Sequence, residues 1–418
     1  MSPRTSIDHA AMHRMNTSLI LSTLRRSAPI SRAGLASLTG MNKATVSMIV
    51  RTLLEDGLIH EIGVDLSNAE VGRPGINLAL NPEAGYLIGI EIGVGFISII
   101  ATNFDMTVIA RRFEDTTELA SQEAILDRVL TLLQETYRQL GHRRRIFGIG
   151  VGVPGLVDTA SGTLLFAPNL GWRDVPLLEL LRARFPVPIA IANEANMAAF
   201  GESYFGAEEE GRFLVYVSSG VGLGGGIVMD GRLISGATGF AGEFGHMTVD
   251  PDGLRCNCGN IGCWETVASQ KAVFRAIEQA VDAGQRSSLS ALVGDNWTRL
   301  TTPLVFGAAQ NGDAVARDAL TQAGYWLGVG IANLINMLNP RYVIFGGPLS
   351  QAHPILLPVI KETVAAHSLR WVEADVVIGV ATHAADATAM GGIAMIHSQV
   401  LRNPLQWIGV ERGSVTPT

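Results

Sequence analysis

Ser218 to Glu265 reads SSGVGLGGGIVMDGRLISGATGFAGEFGHMTVDPDGLRCNCGNIGCWE. An apolar run, Phe213 to Val217, enters it as a strand. A glycine-rich turn follows, and Gly226 to Met229 and Arg232 to Ser235 read as two further strands. The stretch closes on Cys256, Cys258 and Cys263, the only three cysteines in the chain. Clustering this tight favours a metal loop over a disulfide framework. Cys-x-Cys-x4-Cys can turn three thiolates toward one ion, and Gly259 and Gly262 let the backbone curl around it. The alternative is three reduced cysteines that bind nothing.

Upstream the same plan occurs once more. Leu87 to Glu91 is an apolar strand, Gly93 and Gly95 form a turn, and Phe96 to Ala101 and Thr107 to Phe113 continue as strands. Two strand–turn–strand–strand units, roughly 125 residues apart, predict a duplicated lobe. Helical segments near 121–140 and 264–285 follow the two units. The simplest assembly is an α/β body of two lobes with a cleft between them.

The N-terminal residues have a different texture. Asn16 to Ser27 predicts a helix with Leu19, Ile20, Thr23 and Leu24 on one face, ended by Pro29. Ser31 is placed to cap a second helix carrying Leu35 and Leu38, and Gly40 permits the tight turn after it. Asn42 then caps a third helix with Val46, Ile49, Val50, Leu53 and Leu54 at helical spacing. Its remaining faces carry Lys43, Ala44, Thr45, Ser47, Met48 and Arg51. Small and polar residues there can approach base edges, and the cations can reach phosphates. Leu58 to His60 and Ile76 to Leu80 predict a two-stranded wing, tipped by Gly72-Arg73-Pro74-Gly75, whose arginine suits a narrow minor groove. The DNA-contacting candidates are Ser31, Arg32, Asn42, Lys43, Thr45, Ser47, Arg51 and Arg73. A three-helix domain for protein contacts is the competing reading.

Bulk properties agree with this organisation. The 418 residues are 47 % hydrophobic and 17 % charged, which excludes a disordered chain and predicts more than one domain. The net charge of −7 does not itself suggest a nucleic-acid binder. It is unevenly spread, however: residues 1–80 hold eight Lys/Arg against six Asp/Glu, leaving 23 against 32 for the remainder. A mildly basic head on an acidic body permits DNA contact by the head. The opening residues MSPRTSIDHA contain no apolar core of a signal peptide. The most membrane-like stretch, Tyr325 to Leu338, is short and carries Asn333 and Asn336. A cytoplasmic protein is the expectation.

Four motifs in order carry a family resemblance: Ile191-Ala-Asn-Glu-Ala-Asn, the glycine run of 218–227 with Asp230-Gly-Arg, Gly239-Phe-Ala-Gly-Glu-Phe-Gly-His, and Cys256-Asn-Cys-Gly-Asn-Ile-Gly-Cys-Trp-Glu. Val343-Ile-Phe-Gly-Gly extends the match. Over roughly residues 86–400 the chain resembles the sugar-kinase half of the ROK family (repressors, open reading frames and kinases). Its head resembles the winged head of the family's regulators, notably over SRAGLASLTGMNKATVSMIVRTLLEDGLI.

The resemblance implies an α/β fold: a winged helix-turn-helix at 1–80, a first actin-like lobe at 81–205, a second lobe with the metal loop at 206–400, and a tail at 401–418. It implies a structural Zn2+ held by His246, Cys256, Cys258 and Cys263. It places Asn169, Asn193, Glu194, Glu243, His246 and Glu265 around a sugar, because carboxylates and amides pair with adjacent hydroxyls. One ring nitrogen of His246 would bind the metal while the other faces the sugar.

Three positions depart from the kinase pattern. Glu91-Ile-Gly93-Val-Gly95 lacks the threonine of the first phosphate loop. Val221 replaces a hydrogen-bonding threonine in the second. Glu194 stands where the kinases place an aspartate base, a methylene longer. The resulting expectation is a non-enzymatic, sugar-responsive regulator that binds operator DNA as a homodimer or homotetramer. The alternatives are an ATP-dependent hexose kinase with an accessory DNA-binding head, and a DNA-binding protein indifferent to ligand.

Overall fold

A computed structural model of the chain describes residues 9–65, 75–119, 121–141, 145–206, 213–294 and 296–407. The head comprises α1 (His9–Ser27), β1 (Ile30–Ser31), α2 (Arg32–Thr39), α3 (Lys43–Glu55), β2 (Ile59–Asp65) and β3 (Gly75–Leu80). The two expected caps are present. The Ser31 hydroxyl accepts from the Gly34 amide and the Asn42 side chain from the Thr45 amide, while Gly40 ends α2 with φ 69°. Each cap satisfies an amide that the first helical turn leaves free.

Three local expectations are corrected. Helix α1 starts at His9 rather than Asn16, because the Ala/Met-rich segment before Asn16 forms helix without an apolar stripe to mark it. The wing has three strands in the order β1-β3-β2, since Ile30 and Ser31 pair with Leu78 and Asn77. Leu19 and Leu38 were expected inside but are 41 % and 63 % exposed; the buried residues are Thr17, Ile20, Leu21, Thr23 and Leu24 on α1 and Leu35 and Ala36 on α2.

The first lobe is built on β4 (Tyr86–Gly93), β5 (Phe96–Asn103), β6 (Val108–Asp115), α4 (Gln122–Leu140) and β7 (Ile146–Val153). A small sheet of β8 (Leu156–Asp158), β9 (Thr163–Ala167) and β10 (Trp172–Val175) precedes β11 (Ile189–Asn193). The main sheet runs β11-β7-β4-β5-β6, with β4, β5 and β6 antiparallel and β7 and β11 parallel to β4.

The second lobe repeats the plan with β12 (Phe213–Ser219), β13 (Leu223–Met229), β14 (Arg232–Leu233), β15 (Tyr342–Gly346) and β16 (Val377–Val380), in the order β14-β13-β12-β15-β16. Three antiparallel strands are again extended by two parallel ones. The duplication read from the glycine turns is therefore a duplication of topology.

Two helices govern the site. The cleft helix, Glu194–Phe205, leaves the end of β11. The C-terminal helix, Ala387–Arg402, was expected in the second lobe but packs on β4, β7 and the cleft helix, so it belongs to the first. Glycines permit the close approach. A Cβ on Gly89 would overlap the Ala389 carbonyl, one on Gly150 would overlap Gly392, and one on Gly391 would overlap the Met197 carbonyl. The expected tail from 401 begins inside this helix, and Trp407 beyond it sets its ring edge-on to Phe147 at 5.3 Å. Ile20, Leu24, Leu53 and Leu78 of the head share one buried cluster with Phe104, Phe147, Ile393 and Val400 of the body. Head and first lobe thus have a continuous core.

Candidate functional site

The metal loop follows a single helical turn, Phe244–His246, and is closed by bridges between Thr248 and Cys263 and between Arg255 and Ile261. The candidate ligand atoms of His246, Cys256, Cys258 and Cys263 all lie within 4.8 Å of one another. Cys258 Sγ and Cys263 Sγ are 3.7 Å apart, and Cys256 Sγ is 3.8 Å from His246 Nδ1. Tetrahedral bonds of about 2.0–2.3 Å require ligand–ligand spacings of roughly 3.3–3.8 Å. Burial and the two neighbouring cysteines push the Cys263 thiol up to about 12, so three thiolates in this loop need a cation to balance them. The four residues fit one metal ion. With Nδ1 turned to the sulfur, His246 Nε2 lies 3.8 Å from Glu243 Oε2.

All six expected sugar residues line one cavity of about 1110 Å³ between the lobes, and His246 joins the metal loop to it. They are not equally available. Glu265 opens the short helix Glu265–Ala268; its Oε2 accepts the Leu223 amide at 2.9 Å, and Oε1 is 3.7 Å from Cys256 Sγ. Asn193 caps the cleft helix, accepting from the Ala195 and Asn196 amides at 2.9 and 3.2 Å and donating to the Gly155 carbonyl at 3.0 Å. One N–H of its amide is left for a ligand, so Asn193 mainly positions its neighbour. Asn169 accepts from Lys271 Nζ at 3.0 Å, which places a cation at the rim that the motifs did not reveal.

Electrostatics set Glu194 apart. Burial, followed by repulsion from Glu91, Glu243 and Glu265, raises its carboxyl well above the usual range. Glu91, read in the sequence only as part of a phosphate loop, faces the same cavity. Burial pushes it up to about 7, partly offset by a hydrogen bond from Thr388. The Thr388 hydroxyl also lies 3.5 Å from the Glu194 carbonyl. Sequence reasoning missed Thr388 because the C-terminal helix reaches the cleft only through the tertiary fold.

The two loops that would hold phosphate are altered. The Phe96 ring covers Gly93 so closely that a Cβ there would overlap it. In the other loop the Gly220 amide donates to the Gly222 carbonyl at 2.8 Å, and a Cβ on Gly222 would overlap Glu265.

On the head, Asn42, Lys43, Ser47, Met48 and Arg51 are exposed along α3, with Lys43, Ser47 and Arg51 four residues apart on one face. Thr45 is half-buried. Ser31 is 5 % exposed and its hydroxyl caps α2, which removes it from the candidate DNA face. Arg32 pairs with Glu61 of β2 at 3.1 Å. Arg73 lies outside the described residues.

The fold and site define a winged helix-turn-helix head on a two-lobed, sugar-kinase-like body with a metal loop. Residues 87–399 match the ROK family and residues 16–60 a winged helix-turn-helix DNA-binding domain. The chain belongs to the ROK family. It is 35 % identical over 398 residues to a xylose repressor of Caldicellulosiruptor bescii, covering 95 % of this chain and 99 % of that one. A crystal structure of a ROK family transcriptional regulator, a homologue of the E. coli MLC protein, is similar with TM-score 0.80 and 29 % identity, over 95 % of this chain and 99 % of that one. A glucokinase of Halalkalibacterium halodurans is 39 % identical over 266 residues, 63 % of this chain and 80 % of that one. No helix among the described residues is long and apolar enough to cross a membrane.

Proposed function

We propose that the protein is a cytoplasmic transcription regulator whose affinity for operator DNA is set by a sugar bound in the cleft, acting as a repressor that sugar releases. One observation carries the reading: the cleft helix begins at Glu194 in the cleft between the lobes and ends under the winged head. There the Arg25 guanidinium lies 3.9 Å over the Tyr204 ring and donates to the Tyr204 carbonyl at 2.8 Å. A sugar that repositions Glu194 therefore acts on α1 through one rigid element. Two heads in a homodimer or homotetramer would change their mutual setting and their fit to paired half-sites.

The His/Cys3 ion is zinc in this reading. It supplies a fixed scaffold that holds His246 and aims Glu243 and Glu265; with four protein ligands it leaves no open position for catalysis. Lys43, Ser47 and Arg51, with Asn42, Thr45 and Arg73, make the DNA face.

Kinase activity is the second reading, favoured by the glucokinase relative. The covered Gly93, the missing hydroxyls at Gly95 and Val221, and Glu194 in place of aspartate argue against it. Thermal unfolding of the metal-loaded protein against sugars, with and without ATP–magnesium, tests both. A rise in midpoint with one sugar, no rise with ATP, and release of operator by that sugar are expected. A rise with ATP together with sugar-dependent ADP release would overturn the regulator reading in favour of the kinase.

A further inference from the structure

The cleft of about 1110 Å³ exceeds the roughly 300–1,000 Å³ of an ordinary small-molecule site, and one sugar ring fills a small part of it. The polar residues described above gather beside the metal loop. The end of the cleft formed by β5, β6 and the start of the C-terminal helix is lined by Phe96, Phe113, Arg111 and Asp386.

Strand register explains this lining. On the edge strand β6, Arg112 and Glu114 turn toward α4: Arg112 donates to Thr136 and Gln139, and Glu114 pairs with Arg128. The two-residue period then sends Arg111 and Phe113 to the opposite face of the strand, and both line the cleft, as does part of the Arg112 side chain. Phe113 lies opposite Ser98 and Phe96 opposite Asp115, which makes the two aromatic residues diagonal neighbours. Their rings stack at 5.6 Å with planes 20° apart. Phe113 is nevertheless 71 % exposed. Beside it, Arg111 is paired with Asp386 at the start of the C-terminal helix.

We propose that this end of the cleft is a second sugar subsite, and that the effector is a saccharide of at least two rings. This rests on the regulator reading above. The first ring takes Asn169, Glu194, Glu243 and His246. The second lays its C–H face on Phe113 and turns its hydroxyls to Arg111 and Asp386. An exposed aromatic face covers the apolar side of a pyranose, and a guanidinium beside a carboxylate offers a donor and an acceptor to adjacent hydroxyls. A nucleotide suits this reach poorly. Phe96 covers the glycine that phosphate would approach, and Val221 donates no side-chain hydrogen bond.

The test is isothermal titration of the full-length, metal-loaded protein with xylose, glucose and N-acetylglucosamine, and with xylobiose, cellobiose and diacetylchitobiose. Wild type and Phe113→Ala are compared; the exposure of Phe113 leaves the fold unaffected by its loss, which a melting curve verifies. One disaccharide is expected to bind at least about tenfold more tightly than its monosaccharide, about the value of one well-made contact. In Phe113→Ala that ratio should fall close to one. Monosaccharides binding as tightly as every disaccharide would overturn the second subsite and leave the regulator reading intact. A disaccharide preference untouched by Phe113→Ala would also overturn it. No saccharide binding, with operator affinity indifferent to all six, would overturn both.

Discussion

Single residues in the cleft carry opposite demands. His246 sits in the candidate metal cluster and lines the cleft, so a metal bound there should be felt by a ligand in the cleft. The protein as purified should hold one zinc per chain by elemental analysis. Chelation or Cys258→Ser should lower the melting midpoint and weaken sugar affinity by tenfold or more. Unchanged sugar affinity in the metal-free protein would mean that the loop does not aim the pocket. Glu91 has a different signature. Its pKa rises from 4.5 to about 7 because burial disfavours the charged form, with Glu194 a further buried carboxyl in the same cleft. Between those pH values the folded protein keeps a proton that the unfolded chain has lost, so stability from this group falls as pH rises and levels off above about 7. The full shift corresponds to roughly 3 kcal/mol. Glu91→Gln should match wild type at pH 4.5 and become progressively more stable than wild type toward pH 8 in urea denaturation. A difference independent of pH would rule out Glu91 as the titrating group.

Helix α3 and its caps set the next scale. Lys43→Ala and Arg51→Ala should each weaken operator and non-specific DNA alike, and each should reduce the slope of log affinity against log salt by about one. Ser31→Ala should instead cost the head about 1 kcal/mol of stability with the salt slope unchanged. Equal effects of all three on the slope would place Ser31 on the DNA face after all. The contrast also shows what sequence conveys at this scale. Ser31 and Asn42 were legible as caps because capping is local chemistry, and the strands around the glycine turns because period and turn residues agree. The three cysteines of the candidate metal cluster were legible because they crowd into a short stretch, and His246 came with the family motif. Strand β1 was not, being two residues long and defined only by its partner. The outward setting of Leu38 depends on where neighbouring helices lie. Phe113 faces the cleft because Arg112 and Glu114 bind α4, a choice between two faces that an apolar–polar pattern on an edge strand leaves open. The C-terminal helix joins the first lobe through close glycine contacts with strands far away in sequence, Gly89 against Ala389 and Gly150 against Gly392.

At the scale of the whole molecule, the question is how a ligand in the cleft reaches DNA. The cleft helix and the C-terminal helix both start at the pocket, at Glu194 and near Thr388, and both end beneath the head. There the Tyr204 hydroxyl and His397 Nδ1 lie 2.7 Å apart, with Arg25 of α1 over the Tyr204 ring. Burial, reinforced by the Arg25 charge, pushes His397 down to about 3, so its ring stays neutral at neutral pH and the junction transmits position rather than titration. Coupling between two binding sites is reciprocal: whatever factor sugar applies to operator affinity, operator applies to sugar affinity. In wild type that factor should fall in the usual range of about 5 to 150. Arg25 and Tyr204 do not line the cleft, so Arg25→Ala and Tyr204→Phe should leave sugar affinity of the DNA-free protein near wild type. Both should shrink the factor, measured by operator titration with and without sugar and by sugar titration with and without operator. If Arg25→Ala left the factor at its wild-type value in both directions, the signal would have to travel through the shared apolar core of head and lobe instead, and the polar junction would serve stability alone.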